Sequence, residues 1–126
     1  MLLVKTYLGK SKIHGLGLFA GEFIPQGKLV WKFAPGFDFI IKDSDLKKFP
    51  KAAKDFVLHF GYYEKNKKRH VINPDDARFF NHSKNPNVVD INPTESIARR
   101  DIKKDEEITC NYFEFDDEAD FKLSKK

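Results

Sequence analysis

The chain has 126 residues, 40% hydrophobic and 33% charged, with 23 basic against 19 acidic side chains for a net charge of +4. This suits one domain over residues 1–126 with a sizeable core, and excludes both a disordered chain and a membrane span. A lone cysteine, Cys110, excludes an internal disulfide and, with His14, His59, His70 and His82 scattered, leaves no zinc spacing, so no metal is expected.

The N-terminal M-L-L-V-K lacks a signal-peptide pattern, which points to a reducing compartment and no membrane. The basic runs are local: 65–69 (K-N-K-K-R), Arg99 with Arg100, Lys103 with Lys104, and Lys125 with Lys126. They read as solvated faces, because nucleic-acid binding needs one coherent patch.

In chain order, residues 5–8 suit an edge strand, and Gly15-Leu16-Gly17 forms a tight turn before the apolar run 18–20. Pro25-Gln26-Gly27 turns into a β-rich stretch ending at Phe33, and 37–41 continue in that style. Asp43 or Ser44 can cap a short helix. Pro50 starts a better one, with Ala52, Ala53, Phe56, Val57 and Phe60 on one face and Gly61 as its end. Tyr62 with Tyr63, and 70–72, flank the basic turn as a hairpin. Short strands follow at 88–91, 96–98 and 108–112, the last closing on Tyr112. The tail has Phe121 and Leu123 as its large apolar anchors. Many short strands with a helical stretch near 43–61 predict a small, mostly β, α+β domain.

The densest chemistry is at 78–87, R-F-F-N-H-S-K-N-P-N. Phe79 and Phe80 favour burial, while Asn81, His82 and Ser83 then need hydrogen-bond partners. Pro86 fixes a turn between two asparagines. Such a polar knot is either a structural lock or a site.

Three blocks in fixed order carry a resemblance: K-x-x-G-x-G-x-F-A at 12–20, A-R-F-F-N-H-S-x-x-P-N at 77–87, and E-E-I-T-x-x-Y at 106–112. Together they resemble the SET domain of the S-adenosylmethionine-dependent protein-lysine methyltransferases, over roughly residues 3–115, in the minimal stand-alone form of viral and bacterial members. The resemblance implies small curved β-sheets, a short helical insert at about 43–61, and a C-terminal pseudoknot in which the Asn-His-Ser segment threads a loop, rare among folds.

It also implies roles. Gly15, Leu16 and Gly17 resemble the turn along the cofactor's methionine part, and Arg78 the arginine beside it. Asn81 matches the asparagine whose side chain holds the cofactor, and His82 the residue whose backbone pairs with adenine. Tyr112 matches the catalytic tyrosine at the methyl-transfer channel, whose hydroxyl orients the amine. Cys110, Phe113, Phe115, Tyr62 and Tyr63 are candidates for the substrate channel, and Cys110, where relatives carry Phe or Tyr, implies room for more than one methyl. The expected partner is a basic, histone-like or other lysine-rich protein, with nucleic acid met only indirectly. The expected location is the cytoplasm of a bacterium, or a host nucleus for a viral or secreted member.

The chain departs from the family at Lys84, where many chromatin members carry cysteine, and after Tyr112, where no cysteine-rich zinc segment follows. The lid over the channel is therefore expected from the tail 113–126, from a second subunit in a homodimer, or from the substrate. Two other readings stay open: a non-catalytic SET-like binding module, and a small basic nucleic-acid-binding domain built on 65–69 with Tyr62 and Tyr63.

Overall fold

The computed structural model describes residues 1–124, so the terminal pair Lys125 and Lys126 lies outside the described residues. In chain order the elements are β1 (Thr6–Lys10), β2 (Leu16–Ala20), β3 (Leu29–Lys32), β4 (Phe39–Lys42), α1 (Asp43–Leu46), α2 (Lys51–Phe60), β5 (Tyr62–Glu64), β6 (Arg69–Ile72), β7 (Asn81–His82), β8 (Val88–Asn92), β9 (Glu95–Ala98), β10 (Glu107–Cys110) and α3 (Ala119–Ser124). The strands form three small sheets, ordered β1-β2-β10-β7, β3-β9-β8 and β4-β6-β5. This is the mostly β architecture of small sheets that the sequence predicts. Among the described residues, no helix is long and apolar enough to cross a membrane.

Alternation decides which strand faces are buried. Leu18 and Ala20 of β2, Val30 of β3, Val88 of β8, Ala98 of β9 and Ile108 of β10 meet at the junction of the first two sheets, with Ile24 and Ile102 closing it through an isolated bridge. Full burial of each larger aliphatic side chain contributes roughly 1.5–3 kcal/mol. A second cluster, Trp31, Tyr62, Val71 and Ala77, joins the second and third sheets. A third, Cys110, Tyr112 and Ala119, lies beneath the tail. Phe80 packs against all three clusters, so the residue before β7 is the hub of the core.

The hairpin β5–β6 forms as expected, with Tyr62 opposite Val71 and a turn at Lys65–Lys67 that closes through Lys68 at φ +50°. Its charge is partly neutralised internally, because Glu64 pairs with Arg69 at 2.6 Å and with Lys67 at 3.9 Å. Arg99 and Arg100 both donate to the carbonyl of Pro86, at 2.8 and 2.9 Å, and so pin the Asn-Pro-Asn turn.

Several local expectations are corrected. Asp43 is the first residue of α1, and no side chain caps that helix; its carboxylate accepts from the Tyr63 hydroxyl at 2.7 Å instead. The apolar face of α2 is mostly not in the core: Val57 is its buried residue, while Phe56 is 47% exposed. Phe60 packs on Phe79 with ring centroids 5.4 Å apart, so α2 covers the 78–80 segment from outside. β10 stops at Cys110, and Tyr112 opens a 3-10 turn, Tyr112–Glu114, in which the Phe113 amide donates to the Asn111 side chain at 3.0 Å. In the tail, Ala119 and Leu123 are the anchors, whereas Phe121 is 46% exposed.

Candidate active site

The 81–87 segment finds the partners its polarity demands. β7 runs parallel to β10, with Asn81 opposite Thr109 and His82 opposite Cys110, and the amide of Ser83 donates to the Cys110 carbonyl at 2.9 Å. Asn87, 1% exposed, acts as an artificial strand residue. Its Oδ1 accepts from the Thr109 amide at 2.8 Å, and its Nδ2 donates to the Glu107 carbonyl at 2.8 Å. One buried amide side chain thus satisfies both a backbone donor and a backbone acceptor of β10.

Asn81 braces the first motif against the last. Its Nδ2 lies 3.1 Å from the carbonyl of His14, 3.2 Å from that of Leu16 and 3.0 Å from the Glu107 carboxylate. That carboxylate also accepts from the Ser11 hydroxyl, at 2.9 Å to each oxygen. Gly17 is required here by close approach: a Cβ would lie 2.4 Å from a Glu107 oxygen. Gly15 has φ +48° with nothing within 4 Å of a Cβ, so the turn is left-handed and open on its outer side. Leu16 beside it is 53% exposed. The structure therefore brings Gly15, Leu16, Gly17 and Asn81 together, and shows the Asn81 amide nitrogen engaged in holding the turn.

Tyr112 is fixed at three points. Its hydroxyl donates to the Phe80 carbonyl at 2.6 Å, its main-chain amide donates to Nδ1 of His82 at 3.1 Å, and its ring packs on the His82 ring at 5.3 Å. Burial raises the tyrosine well above its usual range, with the neighbouring acidic groups at Cys110, Asp116 and Glu107 adding to the effect. The phenol is therefore neutral across the physiological range, a hydrogen-bonding group and not a base. The His82 side chain is a functional candidate, whereas the family resemblance implied a role mainly for its backbone.

Tyr112 borders a cavity of about 80 Å³, space for several water-sized groups. Cys110, Tyr62, Phe80 and Phe115 give it an apolar, largely aromatic wall, and Arg78 lies in the same lining. Of the channel candidates, Cys110, Tyr62 and Phe115 line this cavity. Phe113 is 55% exposed and packs edge-on against His82 at 5.7 Å, and Tyr63 packs on His70 at 4.6 Å on the far side of the hairpin. Phe80 and Trp31 belong to the wall although the sequence did not single them out as channel residues. Their alternation within core segments masks them as ordinary core aromatics.

The polar part of the wall is distinctive. Three buried side-chain atoms in it have no hydrogen-bond partner: Nε1 of Trp31, Oδ1 of Asn73 and Nε of Arg78. Arg78 is otherwise held by the Pro74 carbonyl at 3.0 Å and stacks over the Phe79 ring at 4.9 Å. Burial raises the Asp90 carboxyl above its usual range, partly offset by the Ser96 hydroxyl that donates to it at 2.6 Å. Asp90 and the buried Asp116 place two carboxyl groups in the same lining as Arg78 and Lys122. In such an apolar cavity the neutral phenol and the carboxylates suit a cationic group, while the orphaned donors of Trp31 and Arg78 suit an acceptor.

The tail completes the enclosure. The Asp116 carboxylate accepts from the Tyr63 amide at 3.0 Å, the Asp117 amide donates to the Tyr63 carbonyl at 3.0 Å, and the Asp117 carboxylate accepts from the Lys65 amide at 2.8 Å. Glu118 lies 2.8 Å from Nε2 of His70. These contacts bind 116–118 along β5 and carry α3 across the cavity, where Lys122 joins the wall.

Among curated protein sequences none matches this chain. Solved structures with a similar fold include a Plasmodium falciparum protein described as a candidate histone methyltransferase, at 24% identity and a TM-score of 0.59, with 88% of this chain and 95% of that one covered. Two structures of the Chaetomium thermophilum Polycomb Repressive Complex 2 also resemble it, each at 22% identity over 97% of this chain and 17% of that one. The one bound to GSK126 has a TM-score of 0.69. The one bound to S-adenosylmethionine has a TM-score of 0.67. The family described as SET domain matches residues 15–113, from the glycine turn to just past Tyr112, and the chain belongs to that family.

Proposed function

We propose that the chain is an S-adenosylmethionine-dependent protein-lysine methyltransferase acting on a basic, lysine-rich protein. The observation that carries this reading is the neutral Tyr112 hydroxyl, fixed to the Phe80 carbonyl at the edge of an aromatic cavity. With its proton directed to that carbonyl, the phenol oxygen remains an acceptor that can orient an N–H of an amine. Methyl transfer needs positioning more than acid–base chemistry, and positioning can supply several kcal/mol of a barrier.

The residues present fit the cofactor. The open Gly15 turn offers backbone close to Asn81, and the Arg78 guanidinium brings an unpartnered donor and a positive charge suited to a carboxylate. When bound, S-adenosylmethionine supplies an electrophilic methyl group on a positively charged sulfonium. Gly15, Leu16, Gly17, Arg78, Asn81 and His82 are the residues that would hold it. One of the Polycomb structures of similar fold binds this molecule, which supports the assignment.

The cavity also suits the lysine. The carboxylates of Asp90 and Asp116 attract its ammonium and favour the charged form, whereas the apolar wall beside Tyr112 opposes them and disfavours the charge relative to water, where a lysine pKa is about 10.4. The small side chain of Cys110 in that wall leaves room for a second or third methyl. The tail 116–124 serves as the lid.

The test is incubation with labelled cofactor and candidate substrates, core histones among them, alongside calorimetry with the cofactor alone. Label on lysine supports the reading. No incorporation together with no cofactor binding would sink it.

A further inference from the structure

Lys122 of α3 turns back into the Tyr112 cavity. Its Nζ bonds both to the Asp116 carboxylate and to the carbonyl of Gly61. The lysine side chain is 10% exposed and that of Asp116 is 1% exposed, so this is an enclosed pair and not a surface contact. Asp116 is itself immobilised: its other oxygen accepts from the amides of Tyr63, at 3.0 Å, and Glu118, at 2.9 Å. Tyr62, Phe115 and Tyr112 supply aromatic walls around it. A fixed carboxylate, a carbonyl and aromatic walls receive a primary ammonium on an alkyl stem.

Stability alone does not call for a charge here. Desolvating an ion pair offsets most of what it gains, and an apolar pair would hold a helix as short as α3 equally well. The pair is also placed where the proposed substrate would bring the same group.

We infer that Asp116 and the Gly61 carbonyl form an alkylammonium-binding site for the lysine side chain of a protein substrate, and that Lys122 fills it in cis as an occupant the incoming lysine displaces. This rests on the methyltransferase reading for the identity of the incoming group, and on geometry alone for the site. An ammonium held by Asp116 has no lone pair with which to attack a methyl carbon. Lys122, tethered by α3, stays in that form, whereas a substrate lysine uses the site to enter and must give up its proton to the carboxylate and move on to the Tyr112 hydroxyl before it reacts.

Lys122→Met removes the ammonium and keeps the length of the stem. With a lysine-rich protein as substrate, its KM falls at least fivefold while kcat stays within twofold of the parent. A merely structural Lys122 predicts a KM that is unchanged or raised, which overturns the inference. A second measurement needs no turnover: millimolar n-butylammonium chloride raises the Tm of Lys122→Met more than tetramethylammonium chloride does, and leaves the parent unmoved. Equal effects of the two salts on the variant overturn the site. Should Lys122→Met not fold, Lys122→Gln keeps an N–H donor for Asp116 and is read in the same way. Intact-mass analysis after incubation with S-adenosylmethionine shows no methyl on Lys122; a methylated Lys122 overturns its role as an unreactive occupant. If n-butylammonium binds the variant but neither form methylates any protein, the ammonium site stands and the methyltransferase reading falls.

Discussion

The main-chain amide of Tyr112 donates to Nδ1 of His82 over 3.1 Å, so the histidine of the central motif sets where the tyrosine of the closing motif begins its turn. β10 has ended two residues earlier, and no strand partner is available to this amide. His82 supplies the acceptor that the sheet does not.

His82 is accordingly a positioning residue. His82→Ala lowers kcat by about tenfold or more, since small misplacements of a reacting partner are expensive. His82→Asn, whose Oδ1 can stand in for Nδ1, recovers most of that loss. Equal defects in the two variants would show that the ring packing, and not the hydrogen bond, matters.

Tyr112→Phe separates chemistry from binding. It removes the hydroxyl that donates to Phe80 and would orient the amine, while leaving the Gly15 turn and Arg78 in place. Turnover drops at least tenfold, and cofactor affinity by calorimetry stays within about threefold. Loss of both together would place the defect in folding.

Alkaline pH destabilises the fold through two tyrosines. Burial raises both Tyr62 and Tyr112 well above their ordinary value of 10.0. The unfolded chain releases these protons first, so the folded state binds more protons above pH 10 and stability falls as pH rises. Below that pH their contribution is fully present. Urea midpoints should be level in this respect up to pH 9.5 and decline beyond, with a shallower decline in Tyr112→Phe than in the parent. An equally steep decline would mean that other groups dominate.

Asn87→Ala tests the side chain that imitates a strand. It leaves the Thr109 amide and the Glu107 carbonyl without their partner, and each buried unpaired group costs about 1–3 kcal/mol. The expected loss, about 2–5 kcal/mol by urea unfolding, exceeds that of Asn85→Ala in the exposed part of the same turn. Comparable losses would refute the ranking.

Gly17→Ala links the first motif to the last. The added methyl meets the Glu107 carboxylate, which cannot swing aside without leaving Ser11 and Asn81. Cofactor affinity falls about tenfold or more through the disturbed 14–16 turn, whereas Gly17→Ala with Glu107→Gln does not restore it, because the methyl still meets an amide of the same size. Gly17→Ala with Glu107→Ala relieves the clash and recovers part of the loss in affinity.

The three blocks at 12–20, 77–87 and 106–112 were legible because they combine special residues at short spacing, and the structure brings all three into contact through Asn81, Asn87 and Glu107. The hairpin and the helical insert were legible from turn chemistry and periodicity. What escaped were roles set by long-range contact. Nothing local in the sequence says that Phe80 touches three separate clusters, that the His82 ring accepts from Tyr112, or that Asp43 faces Tyr63 instead of capping its own helix. Phe113, a channel candidate, shows the converse: the 3-10 turn rotates successive side chains apart and leaves it exposed and outside the cavity lining.

β5 is the outer strand of the third sheet, and an outer strand offers its free amides and carbonyls to any other chain. Here the 116–118 segment takes up the Tyr63 amide and carbonyl and the Lys65 amide, leaving that margin little to recruit with. The stretch that shapes the cavity is thus also a guard against self-association. A chain cut after Phe115 should lose more than its lid: it should form concentration-dependent oligomers through the uncovered strand, visible in sedimentation velocity, where the intact chain does not use that margin.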